Sequence, residues 1–198
     1  MLEIWFIRHG QTDWNLQQRW QGQTDVPLNA LGLTQAGRLA ERLARVNFDA
    51  VYSSDLGRCV TTASIALPQL RPVLDARLRE MHFGGLEGKS WAEMDEGERA
   101  ALERWRQDPY GVRLAGGESF QDLHDRLQAW RGELPSVGRV AAFTHGGNIR
   151  NLLWSVVGPP REPKWSVVLD NTGITRLGYE SKRISVVCVN DCAHLETE

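Results

Sequence analysis

No stretch of the 198-residue chain approaches the roughly 20 consecutive apolar residues that a membrane span requires. Its first residues enter a strand-like run with Glu3 inside it, unlike a basic-then-apolar leader, so a cytoplasmic protein without membrane contact is expected. Cysteine is scarce. Cys59, Cys188 and Cys192 are an odd number, which argues against a disulfide framework. Cys188, Cys192 and His194 lack the paired Cys-x-x-Cys spacing of a zinc site, so no metal is expected. Positive charge is not in excess either. With 23 Lys and Arg against 25 Asp and Glu the formal net charge is −2, which leaves no basic field for nucleic acid, and any attraction for an anion must be local. Repeats and low-complexity tracts are absent. Gly88-Lys89-Ser90 has the tail of a phosphate-binding P-loop but lacks the Gly-x-x-x-x lead-in after a strand.

What is present begins at the second residue. Leu2, Ile4, Phe6 and Ile7 form a short apolar run that suits a buried parallel strand and ends on Arg8-His9-Gly10. Ligands of open α/β sheets sit beyond the carboxyl ends of the strands, so Arg8 and His9 should point into that crevice. A second run, Val140 to Thr144, ends on His145-Gly146-Gly147 and passes into a helical pattern from Asn148 to Val157, ended by Gly158-Pro159-Pro160. Two strands thus deliver two histidines to one edge. Between them, Ala50-Val51-Tyr52 closes into Ser53-Ser54-Asp55-Leu56-Gly57-Arg58, where Arg58 opens a helix that Pro68 stops. An arginine at a helix start with unpaired N–H groups is suited to phosphate. The loop after the first motif carries Asn15, Gln21 and Gly22, whose amides are placed to wrap an anion, or which form an ordinary surface loop.

The rest alternates strand and helix. Thr34 is read as an N-cap before the apolar positions Leu39, Ala40, Leu43 and Ala44, and Pro72-Val73-Leu74 as a third strand. Trp91 to Asp108 is helical and charged, with Trp91, Met94, Leu102 and Trp105 as its apolar residues, and another helix runs through Leu123, Leu127 and Trp130. Ser166 to Leu169, Gly173 to Leu177 and Ile184 to Val189 read as strands, the last two forming an antiparallel hairpin through Tyr179 to Lys182. The fold class is therefore α/β: a three-layer α/β/α arrangement around a mostly parallel sheet with an antiparallel edge. One domain over 1–198 is expected, with 83–118 as a lid-like insertion over the crevice. The apolar edge strand near Val186 is open to pairing with a second copy in a homodimer, or to being covered. Trp20, Trp91, Trp105, Met81 and His82 are candidates to wall an apolar or sugar-binding pocket, although most of the eight tryptophans are expected in the core.

Four blocks in order, Arg8-His9-Gly10-Gln11-Thr12, Ser53 to Arg58, Leu78-Arg79-Glu80 with Gly85-Leu86-Glu87-Gly88, and His145-Gly146-Gly147, resemble the signatures of the histidine phosphatase superfamily, which includes the cofactor-dependent phosphoglycerate mutases. The resemblance runs from the first strand to Asn190-Asp191-Cys192-Ala193-His194-Leu195. It implies a small phosphomonoester substrate held by Arg8, Asn15, Gln21, Gly22, Arg58, His145 and Gly146, with His9 as nucleophile and Glu80 exchanging protons with the substrate. Neither a cofactor nor a metal ion is then needed. Glu87 is the rival to Glu80, its alternative being a loop carboxylate capping the turn near Trp91.

Arginine forks fit phosphate oxygens better than lysine, and a protonated His145 would add a third donor. His9 must be neutral at the attacking nitrogen, with its other ring nitrogen held by an acceptor such as a backbone carbonyl. Hydrolase and mutase share these residues. Mutases of the family carry a longer insertion with adjacent basic residues, whereas Arg104 and Arg106 are separated by Trp105 and face different ways on a helix. Hydrolysis is the preferred expectation and a cofactor-dependent phosphoglycerate mutase the alternative. A silent binding module would have lost at least one of Arg8, His9, Arg58, Glu80 and His145, and all are present.

Overall fold

A computed structural model of the protein describes residues 1–158, 167–181 and 183–196. The chain runs β1 (Leu2–Arg8), α1 (Asp13–Leu16), α2 (Ala30–Leu43), β2 (Ala50–Ser53), α3 (Gly57–Ala66), β3 (Val73–Leu74), α4 (Glu96–Gln107), α5 (Phe120–Gly132), β4 (Gly138–Thr144), α6 (Gly146–Val157), β5 (Ile174–Glu180) and β6 (Arg183–Asp191). The strands form one sheet in the order β3-β2-β4-β1-β5-β6. β3, β2, β4 and β1 are parallel, while β5 and β6 add an antiparallel edge.

The period of two in β1 sorts its side chains into two cores. Leu2, Ile4 and Phe6 pack with Val140, Ala142 and the residues of α5 and α6, whereas Trp5 and Ile7 pack with Ala141, Phe143, α2 and α3. Helices therefore cover both faces. The chain leaves β1 across one face through α2 and leaves β4 across the other through α6, so a topological switch point opens between these neighbours. Arg8 lies opposite Thr144 in the parallel register, and the next residue on each strand is a histidine.

Segment 83–118 places Met94, Leu102, Trp105 and Leu114 in the same core as Phe6 and Val140. It is less uniformly helical than the sequence predicts. A short 3-10 turn at Trp91–Glu93 ends before Asp95, whose side chain accepts from Glu98 N while Glu98 returns to Asp95 N, and this reciprocal cap restarts the chain as α4. Trp91 is exposed, not apolar core; its ring lies 5.1 Å from the guanidinium of Arg106.

Two further expectations are corrected. Asn29, not Thr34, caps α2: its side chain accepts from Gly32 N at 2.9 Å, and Thr34 sits inside the helix with its hydroxyl donating to Ala30 O. Val167 to Leu169 is not a strand. Its carbonyls at Val167 and Leu169 accept from the side chains of Arg150 and Arg8, so side-chain donors replace a ladder. Ser166, Lys182 in the hairpin turn, and the Pro159-Pro160 stop after α6 lie outside the described residues. Val186 is on the edge strand β6 and partly exposed.

Candidate active site

At the switch point lies a cleft of about 660 Å³, walled by Arg8, His9, Asn15, Gln21, Gly22, Arg58, Glu80 and Gly146 among others. Eight of the nine residues expected at the site therefore share one wall, and the ninth, His145, lies directly behind it.

His9 is 3 % exposed, and its backbone is fixed on both sides. Asn171 Nδ2 donates to His9 O at 2.9 Å, and Gly10 N donates to Thr62 Oγ1 at 3.0 Å. His9 Nδ1 lies 2.7 Å from the carbonyl oxygen of Gly10. A carbonyl can only accept, so Nδ1 carries the proton and, in a neutral ring, Nε2 keeps its lone pair. The ring is neutral because burial, and then the charges of Arg58 and Arg8, hold its pKa well below the usual imidazole range.

His145 differs from the expectation of a protonated donor. Burial, followed by the charge of Arg58 and the repulsion that a proton on neighbouring His9 would add, pushes its pKa well below 6.5, and the ring is wholly enclosed. Its Nε2 meets Ser54 Oγ at 3.0 Å, and it packs edge-on to His9 with centroids 5.2 Å apart. His145 thus packs against the His9 ring as a neutral neighbour. Both histidines titrate near 6.5 when unfolded, so below that pH the unfolded chain takes up protons that the folded protein refuses. Stability is whole above pH 6.5 and falls as pH drops, by up to about 1.4 kcal/mol per pH unit for each histidine. Urea midpoints are expected to fall between pH 7.5 and pH 5.5, a window above the carboxylates, and His145→Gln is expected to flatten that slope.

Arg58 is 1 % exposed and donates to the carbonyls of Thr24 and Gly22, each at 2.7 Å, so it shapes the loop as well as facing the cleft. Arg8 donates to Leu169 O. Among the described residues, the Nε groups of both arginines are buried with no protein partner. The start of α3, expected to bind phosphate, is occupied: Gly57 N donates to the carboxylate of Asp25 at 2.9 Å. The helix whose start does face the cleft is α6, through Gly146 and Gly147.

Asn15 Oδ1 accepts from Thr12 N and Asn171 Nδ2, and Gln21 Oε1 accepts from Thr12 Oγ1, which leaves both side-chain NH2 groups on the cleft side. Gly22 has φ +54, and a Cβ there would fall 1.9 Å from Glu87 Oε1. That carboxylate accepts from the amides of Gln23, Thr24 and Phe83 and from the Thr24 hydroxyl. Glu87 is therefore a tie between the 21–24 loop and the root of segment 83–118. It neither lines the cleft nor caps the turn at Trp91.

Glu80 does line the cleft. Its Oε1 accepts from Met81 N at 2.8 Å and its Oε2 from Gly147 N at 3.0 Å, which fixes the carboxyl group against the start of α6. A Cβ on Gly147 would lie 2.2 Å from Glu80 Oε1, so only glycine permits this approach.

Several wall residues escaped sequence reasoning. Arg150 stands one helical turn after Gly146, a spacing that would have revealed it. Trp20, Trp91 and Trp105, which the sequence offered as pocket wall, line the cleft, and Trp14 and Trp154 join them; of the seven described tryptophans only Trp5, Trp105 and Trp130 are buried in the core, so the expectation that most lie there is corrected. Met81 and His82 do not line it; Met81 is fully buried in the core. Arg106 reaches the cleft and Arg104 does not, as their spacing predicts. Among the described residues no cluster of His, Cys, Asp and Glu is arranged for a metal ion, and no helix is long and apolar enough to cross a membrane.

Comparison with known proteins gives a consistent picture. The profile of the histidine phosphatase superfamily (branch 1) matches residues 4–192. A probable phosphoglycerate mutase GpmB from Salmonella typhi is 37 % identical over 210 residues, covering 100 % of this chain and 96 % of that protein. Among solved structures, YhfR of Bacillus stearothermophilus superposes with a TM-score of 0.89 at 32 % identity, covering 99 % of this chain and 100 % of the other. A putative alpha-ribazole-5'-P phosphatase from Escherichia coli K-12 gives a TM-score of 0.84 at 26 % identity, covering 96 % and 97 % of the two chains.

Proposed function

The chain belongs to the histidine phosphatase superfamily, and from that membership and the cleft's geometry we propose that it is a phosphomonoester hydrolase working through a phosphohistidine on His9. The observation that carries the reading is the pair of buried guanidinium groups, Arg8 and Arg58, whose Nε donors have no protein partner among the described residues and which share a wall with His9, whose Nε2 keeps its lone pair. Two permanently charged guanidinium groups on the wall favour an anion in the cleft, and a phosphoryl group would supply one.

In the first step His9 Nε2 attacks phosphorus, the bond to the leaving oxygen breaks, and Glu80 gives its proton to that oxygen. The Gly10 carbonyl keeps the Nδ1 proton and steadies the positive ring that forms. The side-chain amides of Asn15 and Gln21, the arginines, and the backbone at Gly22 and Gly146 hold the equatorial oxygens. In the second step a water oxygen attacks phosphorus while Glu80 takes the water's proton, the nitrogen–phosphorus bond breaks, and phosphate leaves. The protein's own cations balance the charge, so the scheme calls for no metal ion.

The competing reading is transfer between hydroxyls, as the name of the Salmonella typhi relative suggests for that protein. Hydrolysis is favoured because Arg106 alone of the two helical arginines reaches the cleft, and it is engaged by Glu103 at 2.6 Å and by the Trp91 ring. Assaying phosphate release from a panel of phosphomonoesters beside isomerisation of 3-phosphoglycerate separates the two. Release should dominate without a bisphosphate primer; primer-dependent isomerisation with little release would replace this reading by the mutase.

A further inference from the structure

Glu80 lies on a stretch of chain with no ladder to hold it. From Arg79 to Phe83 the backbone is neither strand nor helix, so its polar groups must find partners elsewhere in the fold. One side chain of α5 reaches across to them. Arg126 donates through Nη1 to the carbonyls of Arg77 and Arg79, at 2.6 and 2.7 Å, and through Nη2 to that of Glu80 at 2.9 Å. Two further bonds, from Nε at 2.9 Å and Nη2 at 3.0 Å, go to the two carboxylate oxygens of Glu118. These five bonds use the five N–H groups that a guanidinium carries, so Arg126 keeps none for a ligand. Glu118 also accepts from His82 N at 2.9 Å, and its own N–H donates to His82 O at 2.8 Å. The pair thus grips the chain on both sides of Glu80 and Met81. Neither residue lines the cleft.

The grip on Glu80 O reaches the carboxyl group through a single peptide unit. The Glu80 carbonyl and the Met81 N–H belong to one planar trans peptide, so they point in opposite directions. Arg126 holds the oxygen, and the N–H on the far side is the one that Glu80 Oε1 accepts from. Glu80 Oε2 meets Gly147 N, so the carboxyl group is suspended between this peptide and the start of α6. Turning the peptide would release one of its two holds.

We propose that Arg126, buttressed by Glu118, is a positioning residue for Glu80: it sets the plane of the Glu80–Met81 peptide and thereby the place of the carboxyl group in the cleft. This role rests on the assignment of Glu80 as the group that moves protons. A misplacement of about 1 Å at a reacting group costs on the order of 100-fold in rate, so the brace matters without touching substrate.

The test is a double-substitution cycle read with 4-nitrophenyl phosphate. Lysine keeps the charge of Arg126 but offers its donors from one point, so Arg126→Lys should lower kcat about 10- to 100-fold. The value of kcat/KM covers only the steps up to departure of nitrophenolate, which needs no proton, and should stay within about twofold. Rapid mixing should show a burst of about one nitrophenolate per active site before the slow phase, which needs Glu80 to activate water. In the Glu80→Gln background, Arg126→Lys should change that slow phase less than about twofold. Glu118→Gln is expected to give the same pattern, and it decides the matter if melting shows Arg126→Lys to be unfolded. A brace that only ties α5 to this stretch would slow every step alike. A burst slowed as much as the steady state, an equal loss in both backgrounds, or undiminished kcat therefore overturns the proposal. If Glu80→Gln itself lowers turnover while the cycle shows no coupling, the positioning role alone falls; if Glu80→Gln leaves turnover intact, the assignment of Glu80 falls and the positioning role with it.

Discussion

Replacing His9 by alanine is expected to lower phosphate release by about four orders of magnitude or more, because it removes the group that divides one displacement into two. The loss should fall on kcat, since Arg8, Arg58 and the amides proposed to hold phosphate remain on the cleft wall. Brief mixing of intact enzyme with labelled substrate, followed by an alkaline quench that preserves nitrogen–phosphorus bonds, should trap a phosphoprotein that acid destroys. His9→Ala should trap none. Turnover or labelling that survives the substitution would move the nucleophile elsewhere. The neutral His145, enclosed behind His9 with its Nε2 against Ser54, is not placed to take over.

Glu80→Gln is the second large effect. General acid–base groups contribute about 10²- to 10⁴-fold, so turnover of alkyl phosphates should fall by that amount. With 4-nitrophenyl phosphate the two steps separate, because nitrophenolate departs without a proton while the phosphoenzyme still needs a base to activate water. Rapid mixing should therefore show a burst of nitrophenolate close to one per active site, followed by a slow phase. A burst rate reduced as far as the slow phase would assign Glu80 to holding phosphate instead of moving protons. Both Glu80 oxygens accept amide N–H bonds, so glutamine sets an NH2 against Met81 N or Gly147 N, and a melting curve must accompany the kinetics.

The parts of this site legible in the sequence are those that strand periodicity delivers. Apolar runs ending on Arg8-His9 and on His145 require only that two buried strands lie side by side, and the observed register places them so. Of the two rival carboxylates Glu80 lines the cleft and Glu87 does not, and the four donors that occupy Glu87 explain why it ties loops together instead. What stayed hidden depends on where side chains meet across the fold. Asp25 caps α3 from 32 residues away, which turned an apparent anion site into an occupied one. Arg150 and Arg8 draw carbonyls out of an apolar triplet that reads as a strand. Hydrophobicity alone does not say whether tryptophans such as Trp14 and Trp154 face a core or a cleft, because both are apolar surroundings.

The two histidines are set by neighbouring parallel strands, whereas most of the aromatic wall comes from segment 83–118, α1 and α6. Chemistry and recognition therefore occupy separately mutable parts of the polypeptide. A laboratory selection for new substrates can confine its library to positions such as Phe83, Trp91, Arg106 and Trp154 without disturbing the spacing of the two imidazoles. The same partition lets a lineage drift from one metabolite to another by single substitutions while its reaction stays constant.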